Sequence, residues 1–143
     1  MNKVEIKNID GEVIYTYEGE NATIKDAVED AVKKGVNLSL AVIRDANLCG
    51  ADLCGANLYR ADLEGADLEG ANLEIAFIKN AVLKRANLCG ANLYNADLEE
   101  TDLSDANLTR ASLEFTHLYG TNFFNANLKD ANLKDTELEK YQN

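Results

Sequence analysis

The sequence predicts an all-β solenoid preceded by a β-hairpin and a capping α-helix, and three observations carry that prediction. From Val36 to Lys140 the chain divides into 21 consecutive pentads without an insertion. The centre of each is apolar, Leu in nearly all and Ile43, Ile78 or Phe123 otherwise, and the residue two places earlier is small, Ala in most and Thr101, Thr116, Thr121 or Thr136 in four. Finally, proline is absent, as suits a chain with few irregular loops.

Neither straight element can use a period of five. In a helix, five steps of ~100° would turn each Leu ~140° from the last and scatter the apolar residues around the barrel. In a strand, side chains alternate faces, so an odd period would send successive Leu residues to opposite sides. Only a backbone that turns a corner once per pentad returns every Leu to one interior. The small residue and the Leu then point inward, and the Asn or Asp between them and the last two residues face out or make the corner. One coil alone cannot bury its apolar side, so folding belongs to the stack.

The first 35 residues follow different rules. Val4 and Ile6, a turn at Asp10 and Gly11, and then Val13, Tyr15 and Tyr17 in alternation read as a hairpin. Thr23 is placed to cap a helix whose apolar stripe is Ile24, Ala27, Val28, Ala31 and Val32, and Gly35 ends it. Residues 1–35 thus form a cap for the open end of the solenoid, 36–140 the repeat body and 141–143 a tail.

The phrase A-(D/N)-L-x-x, seen as ADLEG, ANLCG, ANLYN and ANLKD, resembles the pentapeptide-repeat proteins over 36–140. That resemblance implies a right-handed quadrilateral, or four-sided, parallel β-helix with one pentad per side, ~20 residues per coil and about five coils. ANLCGADL at 46–53 recurs as ANLCGANL at 86–93, forty residues on and so two full turns.

With twenty residues per coil the surface can be written as columns. Cys49 and Cys89 then stand ~9.6 Å apart, too far for a disulfide, and Cys54 points from the next side. No metal or redox site follows from their C-x4-C spacing, and the three read as surface thiols. Arg44, Glu64 and Lys84 alternate in sign down one column, and Asn47, Asp67, Asn87, Asn107 and Asn127 form a hydrogen-bonding ladder in another. His117, the only histidine, lies between Asp97 and Glu137 with no nucleophile one coil away. No catalytic, cofactor-binding or metal-binding residue is assigned. The corner glycines are turn residues.

The pentads at 71–85 depart from the rule. Ile75, Phe77 and Val82 place bulky apolar groups outward, and Ile75 and Phe77 fall around one corner with Tyr94 and Phe115 nearby. A contiguous exposed patch marks an interaction site, unless the N-terminal segment covers it. At the other end Phe123, Leu128, Leu133 and Leu138 would form an uncovered apolar layer. An isologous end-to-end homodimer would close it, and the resemblance implies the same mode.

A formal net charge of -11 repels nucleic acid and anionic membranes. The opening residues lack the apolar stretch of a leader, and no run approaches the ~18 apolar residues of a membrane span. The expectation is a soluble cytoplasmic protein without enzymatic activity, a structural and protein-interaction module. The alternative implied by the resemblance is an acidic DNA mimic that binds DNA gyrase, of the quinolone-protection type. The repeat body carries 17 acidic and nine basic residues, about half the charge of duplex DNA of the same ~25 Å length.

Overall fold

In the computed structural model, which describes residues 1–141, the pentads wind into a coil of twenty residues with four rungs and four turns per circuit. Parallel bridges join each rung to the residue twenty further on, from Val42 with Asp62 to Ser112 with Asn132. The pattern within one pentad is regular. Leu48 N–H donates to Asp67 O at 2.8 Å and Asp67 N–H donates back to Ala46 O at 2.9 Å, while Gly50 N–H reaches Glu69 O at 2.8 Å. Ala51 N–H closes the turn on Leu48 O at 3.0 Å. The third residue of each such turn has positive φ, the mark of a type II turn.

The Asn or Asp of each pentad has a specific task. Its side-chain oxygen accepts from the N–H two residues on, as in Asp67 with Glu69 and Asn87 with Cys89, both at 3.1 Å. That N–H faces outward at the corner, where the rung above offers it no carbonyl. The short polar side chain supplies the acceptor from within the pentad. The amide nitrogens of the Asn residues then donate to the coil below, Asn87 to Asp67 at 3.1 Å and Asn107 to Asn87 at 3.3 Å. This is the ladder expected from the column.

Among the described residues no buried side-chain nitrogen or oxygen lacks a hydrogen-bond partner. Leu48 to Leu113 and the intervening Ala residues are essentially fully buried. Thr101 and Thr121 substitute for Ala because each hydroxyl donates to a carbonyl of the coil below, Ile78 O and Leu98 O, both at 2.8 Å. Most corner residues are not glycine; at Gly65 a Cβ would fall 2.1 Å from Asp45 Oδ1, so a side chain there would displace the Asp45 carboxylate.

The N-terminal segment caps the first coil. Strands β1 (Asn2–Asn8) and β2 (Val13–Gly19) form the hairpin, and β1 also pairs antiparallel with β3 (Ala41–Val42), the first rung. Helix α1 (Ile24–Lys33) begins at Thr23 with a reciprocal capping box to Asp26, buries Ala27, Val28 and Ala31, and ends before Gly35 at φ 71°. One detail of the hairpin corrects the sequence reading. A bulge sets Lys7 opposite Val13 and Ile6 opposite Tyr15, so Ile14 packs against the core and Val13 is left 47% exposed.

The far end also departs from the plain repeat. The last pentad tightens into a 3-10 turn at Glu139–Tyr141, which takes in the first residue of the expected tail. Gln142 and Asn143, the rest of the expected tail, lie outside the described residues.

Two outcomes are expected. Leu88 is wholly buried, so Leu88→Asp strands a carboxylate in the core at a cost of several kcal/mol. Cys89→Ser keeps an acceptor for Thr109 and Arg110, which reach the sulfur at 3.2 and 3.1 Å, and should leave the melting temperature nearly unchanged. Similar melting shifts for the two would refute the assigned inside and outside. The second concerns Asp30, whose carboxyl is held below the usual aspartate range by the Lys34 ammonium at 2.9 Å and by the Tyr15 hydroxyl. A depressed value in the folded state stabilises above the ordinary aspartate pKa and is lost as pH falls through the depressed one. Protection of the β2 amides, taken relative to their intrinsic exchange rates at each pH, should fall on acidification through that window, and Asp30→Asn should flatten the response.

Candidate functional site

One corner of the coil breaks the repeat's own preferences three times. The fifth residue of a pentad sits in the left-handed region, which Gly and Asn adopt readily and a β-branched residue adopts at a cost. Ile75 holds φ 54° there and Phe115 holds φ 59°, two coils on in the same column as Gly55 and Asn95. Phe77 takes a place where Asn or Asp would bond the N–H two residues on, and it has no group to do so. All three side chains are exposed, Ile75 by 53%, Phe77 by 39% and Phe115 by 43%.

The aromatic contacts join these positions into a strip. Phe77 stacks on Tyr59 with centroids 5.6 Å apart and planes within 17°. Tyr94 meets Phe115 edge-on at 5.5 Å, and Ile75 leans over Gly55, whose missing side chain leaves its path open. The structure therefore brings together Ile75, Phe77, Tyr94 and Phe115 as the columns predicted. It adds Tyr59, half-buried, which the sequence reading missed. The signal was present: Tyr59 lies on the same side as Phe77, one coil earlier. The N-terminal segment leaves the corner uncovered: β1 continues the side that carries Val42, α1 reaches the first coil at Asp52 through Glu29, and Ile75, Phe77, Tyr94 and Phe115 all remain exposed. Val82, the third bulky outward residue, is half-buried on that other side and lies apart from the corner.

Two carboxylates border the strip. Glu74 and Glu114 precede the left-handed residues Ile75 and Phe115, and both are half-buried. Asn92 Nδ2 donates to Glu74 at 3.5 Å and Asn132 Nδ2 to Glu114 at 2.5 Å. Neither makes an ion pair among the described residues.

Elsewhere a few carboxylates are paired within the surface. Glu64 takes Arg44 on one oxygen and Arg85 on the other, each at 2.6 Å. This corrects the expected column, because Arg85 at the corner occupies the place foreseen for Lys84, whose charge acts instead on Asp102. His117 shares a space with Asp97, as expected, and with Glu99 rather than Glu137. One ligand-type atom from each lies within 4.8 Å of the others, a set a divalent ion could use. Lys79, however, sits on Glu99 at 3.0 Å and already provides a positive charge there. Cys49, Cys54 and Cys89 are free thiols. Burial and the nearby Glu74 carboxylate push the Cys54 thiol up, away from a reactive thiolate.

At the far end Phe123, Leu128 and Leu138 are half-buried, and with the buried Leu133 they line a hollow of about 770 Å³ that Tyr141 also borders. No helix among the described residues is long and apolar enough to cross a membrane.

The comparisons agree with this geometry. The family model for pentapeptide repeats matches in eight copies, over residues 37–74, 76–105 and 106–140. HetL, a pentapeptide repeat protein involved in heterocyst differentiation regulation in Nostoc sp. strain PCC 7120, is 38% identical with a TM-score of 0.68, over 71% of this chain and 48% of that one. The chain thus spans about half the length of HetL. A pentapeptide repeat protein of the Arabidopsis thaliana thylakoid lumen is 31% identical over 74% of this chain and 70% of its own, with a TM-score of 0.41. A trypsin-treated form of QnrB1, a plasmid-mediated fluoroquinolone resistance protein, is 24% identical over 74% and 61%, with a TM-score of 0.44. No curated protein matches. The repeat phrase, the twenty-residue circuit and the family match over most of the length make this chain a member of the pentapeptide repeat family.

Proposed function

We propose that this chain, a right-handed four-sided β-helix, is a non-enzymatic protein-interaction module that docks its partner on the corner formed by Ile75, Phe77, Tyr94 and Phe115, with Tyr59 beside them. One observation carries the reading: three apolar residues stand exposed where the backbone favours glycine or a short polar side chain, and all three converge on one corner. A position that costs stability and yet presents apolar surface is where function overrides folding. The likeness to HetL, a protein involved in regulation, supports binding over turnover.

The duplex-mimic reading has less support. Basic residues interrupt the acidic surface, with Arg44 and Arg85 bonded to Glu64 and Lys79 to Glu99. A second apolar surface lies around Phe123, Leu128, Leu133 and Leu138, and an end-to-end pair of chains is the cover proposed for it.

Ile75→Asn should relieve left-handed strain of about 1 kcal/mol and raise the melting temperature by a few degrees. Phe77→Ser should cost about 1 kcal/mol through the lost stacking on Tyr59. Both should deplete the same partner in affinity purification from the native cell, compared quantitatively with the unaltered chain. A partner retained equally by all three chains would place binding elsewhere. For the pairing, sedimentation equilibrium at tens of micromolar should give twice 15.7 kDa, and Leu138→Lys should return a folded monomer. A single species at the monomer mass disposes of the pair.

A further inference from the structure

We propose that the docking corner recognises an arginine side chain of its partner, held over the Tyr94 ring between the carboxylates of Glu74 and Glu114. The inference rests on the corner being the docking surface and adds the chemistry of what it takes. Glu74, Tyr94 and Glu114 stand in one column on successive coils, at a spacing of ~4.8 Å per coil. Phe115 closes one side, its ring 5.5 Å from that of Tyr94.

Neither glutamate of this column makes an ion pair among the described residues. The other half-buried glutamates of the repeat body each hold a cation, Glu64 with two arginines and Glu99 with Lys79. Glu74 and Glu114 each engage an asparagine amide through one oxygen and leave the other oxygen available. Lys134, one rung beyond Glu114 in the same column, makes no ion pair with it. Two negative groups and an aromatic face therefore await a positive charge from outside, on a chain of net charge -11 that already favours basic partners.

Arginine fits this place better than lysine. Its guanidinium is planar, stacks on an aromatic face, is weakly hydrated and bonds a carboxylate through two parallel N–H groups. The aliphatic neighbours of such an arginine would lie on Ile75 and Phe77, which extends the contact around the corner.

The test uses the full chain, labelled with nitrogen-15, titrated by capped Leu-Arg-Leu and by the same peptide with citrulline, an uncharged isostere, or lysine at the centre. The arginine peptide should shift the amides of Glu74, Ile75, Tyr94 and Phe115 saturably. Its affinity should exceed that of the citrulline peptide at least tenfold, and that of the lysine peptide by a smaller factor. Glu74→Gln combined with Glu114→Gln should reduce the arginine peptide to the citrulline level with an unchanged melting temperature. Equal binding of arginine and citrulline at the corner overturns the inference while leaving the apolar docking surface intact. Lysine bound as tightly as arginine overturns the choice of side chain, and no perturbation of the corner by any of the peptides overturns both the inference and the docking reading beneath it.

Discussion

Everything in this fold depends on the left-handed residue at the end of each pentad. It turns the chain by one corner every five residues, and four such turns bring residue 67 above residue 47 so that their backbones bond. Without that bend the Leu residues would not share an interior, and without the shared interior no single coil has enough apolar area to order itself. The constraint is local, but its effect is to place every chemical group on the surface at a known height and side.

That constraint explains what the sequence revealed and what it hid. The coil was legible because the period of five excludes both straight elements and because Ala and Leu mark the inward places between Ala41 and Leu98, with only Ile43 and Ile78 in place of Leu. The corner patch was legible because Ile75 and Phe77 contradict the phrase around them. Side-chain reach was less so. Columns give heights, and they do not say that Arg85 would swing from the corner to Glu64 in place of Lys84, or that Glu99 and not Glu137 would join His117. Those choices are made by long flexible side chains reaching diagonally across eighteen to twenty-one residues of sequence. The bulge that exchanges Val13 for Ile14 was hidden for another reason: alternation predicts a face only while the strand stays in register.

The corner joins the two themes. A rigid rod with fixed rung spacing can hold Glu74, Tyr94, Glu114 and Phe115 at set separations without any loop to order, so the proposed partner would meet a surface that needs no ordering. The cost is carried by the left-handed Ile75 and Phe115 and by the polar bond that Phe77 gives up.

The asparagine ladder has a direction. In each rung-to-rung bond of this kind the amide belongs to the later coil and the oxygen to the earlier one, as in Asn72 to Asp52, Asn87 to Asp67 and Asn122 to Asp102. Aspartates do not stack directly on one another in these bridges: Val82 separates Asp62 from Asp102. Coils that look interchangeable by eye therefore are not. A coil copied to a new position continues the ladder only where it presents a donor to the oxygen beneath it, as asparagine does above aspartate in Asn87 over Asp67 and above asparagine in Asn107 over Asn87.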